Sequence, residues 1–259
     1  MNFKVWCLSF FWLVSSCVSS GDLVFDKLKA GDEIPTTPGK LDHKEWNDLL
    51  QKHVDQNGFV DYEGFKSDES MLDNYLSKIG KNAPGKLTKV NEQFAYYINL
   101  YNAATIKIML ENDIPASIKD IGSTVQPVWI QDFIEVDGST YSLADIEKGV
   151  LQKMGDPRIH FAINCASYSC PKLQNVAFTA GNVDELMAIS AREFINSDKN
   201  NLADSSQPKL SRIFKWYEAD FTATGKTVIE YINQYAVDEI EENASIEYLE
   251  YDWSRNSKR

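Results

Sequence analysis

One stretch of this chain concentrates the side chains that do chemistry. Residues 155–171 read Gly-Asp-Pro-Arg-Ile-His-Phe-Ala-Ile-Asn-Cys-Ala-Ser-Tyr-Ser-Cys-Pro, which places Arg158, His160, Asn164, Cys165, Ser167 and Cys170 close together. Three chemistries are open to that set. Two cysteines five residues apart could close a small disulfide loop in an oxidising compartment. His160 with both thiols could bind zinc, but the His-x4-Cys-x4-Cys spacing is irregular and lacks a fourth ligand, so no metal is assigned. A thiol with a base in reach, and a third group orienting that base, could attack an acyl carbon. In that reading Cys165 or Cys170 is the nucleophile and His160 the base. Asp252, Asp220 or Asn102 could orient the base, with Asp252 or Asn102 preferred. Arg158 could hold a substrate carboxylate.

These groups need elements to position them. Arg158 to Cys165 is a short apolar run after Gly-Asp-Pro and reads as a buried strand. In a straight strand His160 and Asn164 face one way and Cys165 the other. The strand must therefore end or bend before Cys165 for a thiolate–imidazole contact, whereas Cys170 beyond the turn folds back more easily. The strongest helix spans Lys89 to Glu111, with Phe94, Tyr97, Ile98, Tyr101, Thr105 and Ile108 as its apolar stripe. Asn112-Asp113-Ile114-Pro115 ends it. Asn99 and Asn102 lie beside the stripe, three apart and on one face. Asparagine is mildly unfavourable in mid-helix and must find partners when buried. These two could satisfy neighbouring backbone or face the site. Asn99, Tyr101 and Asn164 join Arg158 as candidate substrate contacts.

Further helices are expected over Leu41–Val54, Ser70–Ile79, Asn182–Asn196 and Thr227–Tyr235, with a short one at Ser211–Tyr217. Val-Asp-Gln-Asn-Gly-Phe-Val-Asp-Tyr (54–62) resembles half of a calcium-binding loop, but the bidentate glutamate is missing, so it reads as a turn. Val125 to Tyr141 reads as β, with Asp137-Gly138 as a hairpin turn. Ser142 and Asp145 open a helix running to about Met154 in capping-box style. Ile246 to Trp253 reads as a final strand. The fold class expected is α+β: one domain over 41–256, a central, mostly antiparallel sheet flanked by helices.

The chain's 38 Asp+Glu against 26 Lys+Arg give a net charge of −12, which argues against nucleic-acid binding and electrostatic attachment to anionic lipid. Residues 1–20 (MNFKVWCLSFFWLVSSCVSS) read as a secretory signal peptide, with one lysine, an apolar run and small residues at the exit. Cleavage after Ser20 would suit an ordinary signal peptidase. Val14-Ser15-Ser16-Cys17 fits a bacterial lipobox somewhat better, with Cys17 lipidated. Residues 21–40 read as a linker. The expected location is exported, as a periplasmic protein or outer-membrane lipoprotein, touching membrane only through a lipid at Cys17. The domain then holds two cysteines, Cys165 and Cys170. The sequence lacks Gly-x-Ser-x-Gly, nucleotide- and dinucleotide-binding loops and His-Glu-x-x-His, and no cofactor is expected. The expected partner is a small molecule or peptide.

Taken together, several segments resemble the domain-of-unknown-function family DUF547. They are Phe-Ala-Tyr-Tyr-Ile-Asn-Leu-Tyr-Asn-Ala-Ala-Thr-Ile (94–106), Ser-Leu-Ala-Asp-Ile-Glu (142–147), the 156–171 stretch, Lys-Trp-Tyr-Glu-Ala-Asp-Phe (215–221) and Tyr-Leu-Glu-Tyr-Asp-Trp-Ser-Arg-Asn (248–256). The resemblance marks Glu147, Trp216, Tyr217, Asp220, Phe221, Tyr251 and Asp252 as motif positions beside those of the two central segments. It also implies a His after Glu147, where this chain has Lys148. Bacterial members are often exported. A weaker analogy, from the order of a polar-lined helix, a His and a late Asp, is to papain- and transglutaminase-like folds, in which a Cys begins the helix. Two functions are expected from different classes. One is thiol-dependent amide hydrolysis or acyl transfer. The other is a non-catalytic envelope binding or scaffold module with a Cys165–Cys170 disulfide.

Overall fold

The computed structural model describes residues 41–85, 88–200, 202 and 204–257. The expected signal peptide, lipobox at Cys17 and 21–40 linker lie outside the described residues.

Three helices open the fold: α1 (Lys44–His53), α2 (Tyr62–Ser67) and α3 (Glu69–Gly80). The turn between α1 and α2 is built by Asp55, whose Oδ1 accepts from the backbone N–H of Asn57 and Phe59. Helix α4 (Val90–Glu111) follows and runs through the middle of the molecule. Its expected one-sided stripe is an underestimate, because it is buried on nearly every side from Gln93 to Leu110. A helix covered all round is a core helix, and its asparagines are covered with it: Asn99 is 0% and Asn102 2% exposed. Trp46, Phe65, Leu72 and Tyr75 pack in the core cluster that α4 shares.

Strands β1 (Ile134–Val136) and β2 (Ser139–Tyr141) form the expected antiparallel hairpin. Its two turn residues are Asp137 at φ 49° and Gly138 at φ 81°, the pair of left-handed conformations that lets a two-residue turn match strand twist. Ser142 and Asp145 cap each other as expected, Ser142 N and Oγ donating to Asp145 Oδ2 and Asp145 N to Ser142 Oγ. The turn that follows is wider than an α-helix: Asp145–Leu151 is a π-helix, continued by α5 (Gln152–Met154).

The expected strand over 158–165 is instead α6 (Ile159–Ala162). The Asp156 carboxylate accepts from Arg158 N at 2.9 Å and tightens the chain into a helical turn. A short apolar run buried on all sides suits a helix as well as a strand, and periodicity does not separate the two. Ile163 is extended, so the chain does bend before Cys165.

Helix α7 (Val183–Ile195) packs against α6, and β3 (Lys209–Leu210), α8 (Ile213–Trp216), α9 (Glu218–Phe221) and α10 (Val228–Asn233) complete a second aromatic cluster around Phe161, Phe194, Phe214 and Phe221. Of the expected final strand, only β4 (Glu247–Tyr248) pairs, in parallel with β3. The described residues thus hold two two-stranded sheets among helices, and not a central sheet flanked by them. Backbone polarity is satisfied by helices and by side-chain clamps, the solution a largely helical core requires. No helix among the described residues is long and apolar enough to cross a membrane.

Candidate active site

A cavity of about 360 Å³ opens between α4, the π-helix, α6, the 163–171 turn and the C-terminal segment. Cys165, Cys170, His160 and Glu147 face it, with Tyr101, Tyr217, Tyr251, Trp129, Trp216 and Trp253 supplying aromatic walls. A mostly apolar concavity with a few polar groups is the usual form of a small-molecule site.

The sulfur side is held by a tight turn. Ala166, directly after Cys165, sits at φ 59°, a left-handed conformation that costs a non-glycine residue about 1–3 kcal/mol. Its surroundings over-determine it. Ala166 N donates to Asn164 Oδ1 at 2.9 Å, and Ala166 O accepts from Asn256 N at 3.1 Å. Asn256 Nδ2 also donates to Asn164 Oδ1, and Tyr62 OH donates to Asn256 Oδ1 at 2.6 Å. The C-terminal segment crosses the same turn, Tyr168 N donating to Ser254 O and Ser169 N to Asp252 O. Both cysteines are free thiols, with sulfurs 2.8 Å apart. A disulfide requires about 2.05 Å, so the structure contains the dithiol and not the disulfide.

The two thiols differ. Cys165 is half-buried, whereas Cys170 is 5% exposed and accepts from Cys165 N at 3.0 Å. The hydrogen bond from the Cys170 thiol lowers the Cys165 pKa more than desolvation raises it, and Ser167 Oγ at 3.5 Å and Tyr251 OH at 3.4 Å lower it further. Cys170 moves the other way, well above an ordinary thiol, first through burial and then through its partner's charge. Lys199 adds a cation, its ammonium bonded to Cys170 O, with its own pKa lowered by burial.

In the same cavity, His160 Nε2 meets Asp220 Oδ2 at 2.7 Å. The carboxylate can only accept, so Nε2 carries the proton. Nδ1 is buried and has no hydrogen-bond partner among the described residues. The ring stacks on Tyr217, centroids 3.9 Å apart, and meets Phe221 edge-on. Glu147, carried into the cavity by the π-helix, accepts from Tyr217 OH at 2.7 Å and Tyr101 OH at 3.3 Å. Single π-helical turns recur at functional sites because they displace a side chain from helical register.

The structure separates the residues expected at the site. His160, Cys165, Cys170 and Tyr101 line the cavity. Asn102 is spent on the fold: Nδ2 donates to Ala162 O and Oδ1 accepts from Asn164 N. Asn99 clamps Phe178 in the same way through its N–H and carbonyl. Asn164 holds the turn and also donates to Pro171 O at 2.7 Å. Arg158 is engaged by Asp156 and by Asp184, whose hydrogen bonds raise its pKa. Asp252 Oδ1 accepts from Ser254 N and Oγ, and the carboxylate on His160 is that of Asp220. Glu147, Tyr217 and Tyr251 were not among the expected site residues; only the family resemblance marked them. Trp129 and Trp253 carried no signal. Among the described residues no group of three or more His, Cys, Asp or Glu is placed to hold a metal ion.

Residues 85–195 match the family model described as "Protein of unknown function, DUF547". The match contains Tyr101, Glu147, His160, Cys165 and Cys170; Tyr217, Asp220 and Tyr251 lie beyond it. No curated protein and no solved structure matches the chain.

Proposed function

We propose that the cavity, part of which lies in the segment matching the DUF547 model (residues 85–195), is the active site of a thiol-dependent hydrolase or acyl transferase. The observation that carries this reading is a half-buried thiol with lowered pKa in the same cavity as a histidine bonded to a carboxylate. Cys165 is the nucleophile, its thiolate stabilised by the hydrogen bond from Cys170. The thiolate attacks the acyl carbon and displaces an amine or alcohol. His160, its Nε2–H held by Asp220, takes the thiol proton at Nδ1, gives it to that leaving group, and later takes a proton from the water or acceptor that releases the acyl group, returning it to the Cys165 sulfur. Nδ1 is buried at rest, so this step requires the surroundings of the ring to open as substrate enters. Glu147 is a positioning residue that holds Tyr217 and Tyr101. The aromatic walls fit an acyl compound with an apolar body, or the end of a peptide. Export through residues 1–20 and tethering at Cys17 belong to the same proposal.

The alternative is a non-catalytic binding module. The commitment of Asn99, Asn102 and Asn164 to internal bonds favours it. One experiment separates the two: reduced protein is incubated with p-nitrophenyl acetate and the acyl group mapped by peptide mass. An adduct at Cys165 that turns over, with turnover slowed in Asp220→Asn, supports the enzyme. An adduct at Cys170, or none, overturns it.

A further inference from the structure

A nucleophilic thiol with a second thiol at its side can do chemistry that acyl transfer does not use. Cys165 and Cys170 are separated by one strained turn, and their sulfurs lie 2.8 Å apart against one cavity. Their exposures differ in a useful sense. Cys165 is the more exposed residue of the pair, and Cys170 is 5% exposed. Closing to the length of about 2.05 Å of a sulfur–sulfur bond asks each side chain for a fraction of an ångström. Hydrogen bonds through Asn164, Asn256 and Tyr62 fix the turn that keeps them together.

We propose that Cys165 and Cys170 form a peroxide-responsive dithiol, in which Cys165 is oxidised first and Cys170 resolves the product to an intramolecular disulfide. The Cys165 thiolate attacks one oxygen of a peroxide, ROOH. A sulfur–oxygen bond forms and the oxygen–oxygen bond breaks. The departing alkoxide takes a proton and leaves as ROH, and Cys165 becomes a sulfenic acid. The Cys170 sulfur then attacks the Cys165 sulfur. The sulfur–sulfur bond forms, the sulfur–oxygen bond breaks, and hydroxide leaves with the Cys170 proton as water. The dithiol loses two electrons and the peroxide gains them. An external dithiol returns the pair to the reduced state. This chemistry needs Cys165 to be nucleophilic but does not rest on the acyl-transfer reading; where both hold, oxidation silences the acyl chemistry.

The test treats reduced protein with hydrogen peroxide, alone and with dimedone, and maps the products by non-reducing peptide mass. The wild type should give a Cys165–Cys170 cross-linked peptide, reversed by dithiothreitol, with no dimedone adduct. Cys170→Ser and Cys170→Ala should give no cross-link and a dimedone adduct at Cys165, and Cys165→Ser should give neither product. Wild-type protein that accumulates the same adduct as Cys170→Ser would overturn the proposal. So would wild-type thiols that remain fully alkylatable after peroxide, or cross-links that join two chains. Acyl-adduct formation by the reduced protein is read separately, so failure of one reading is distinguishable from failure of the other.

Discussion

Two buried polar sets meet where Asn164 and Cys165 adjoin in the chain, and they behave differently. Asn99, Asn102 and Asn164 use both their amide nitrogen and their carbonyl oxygen on the fold. Cys165 and His160, against the cavity, leave capacity unused: a thiolate-prone sulfur, and an imidazole whose Nδ1 has no partner among the described residues. Residue type does not distinguish the sets, since asparagine, histidine and cysteine all serve in active sites. Hydrogen-bond accounting does. A buried polar side chain whose donors and acceptors are filled by backbone is structural, and one left with reactive capacity beside a cavity is a candidate for chemistry.

The comparison is tested most strongly on the cavity side. Cys165→Ala should abolish acyl-adduct formation outright, measured by intact mass, while Cys170→Ala keeps it. Asp220→Asn comes next. It should lower turnover by roughly 10²–10⁴-fold, the usual range for a positioned acid–base group, and leave iodoacetamide reaction at Cys165 unchanged. A matching loss of thiol reactivity would mean that Asp220 supports the fold rather than His160. On the structural side the effect should be on stability. Asn102→Ala strands Ala162 O and Asn164 N, at about 1–3 kcal/mol for each buried group left unpaired. Urea denaturation reads that loss, and an unchanged midpoint would erase the distinction between the two sets.

The smallest effect concerns a histidine far from the cavity. His43 is buried, with Nδ1 2.7 Å from Tyr75 OH, and burial lowers its pKa from 6.5 to about 4. The unfolded chain binds that proton more readily, so stability is full above pH 6.5 and falls as pH drops toward 4. A His43→Gln variant should flatten that part of a pH–stability curve. A variant curve parallel to the wild type would assign the slope to other groups.

The sequence carried the helices well where periodicity was long: α1, α3, α4 and α7 lie within a few residues of their expected spans. It failed where elements were short. A four-residue apolar run at 159–162 has no periodicity to read, and β4 keeps only two residues of an expected eight-residue strand. The site was half legible. The proposed nucleophile and base sit in one sequence stretch, where residue chemistry alone points to them. Asp220 lies 60 residues beyond His160, so spacing gives no reason to choose it, and Asp252 or Asn102 is preferred in its place. Glu147 enters through a π-helix that the capping signal at Ser142 and Asp145 reads as an ordinary helix.

The measurement that bears most directly on the central claim is the pH profile of iodoacetamide alkylation of the reduced protein, mapped separately at each cysteine. Cys165 should react ahead of Cys170, with a midpoint below the ordinary thiol value of about 8.5, and that midpoint should rise in Cys170→Ala, where the donated hydrogen bond is gone. A faster Cys170, or a Cys165 midpoint at or above the ordinary value, would contradict the assignment of Cys165 as the nucleophile.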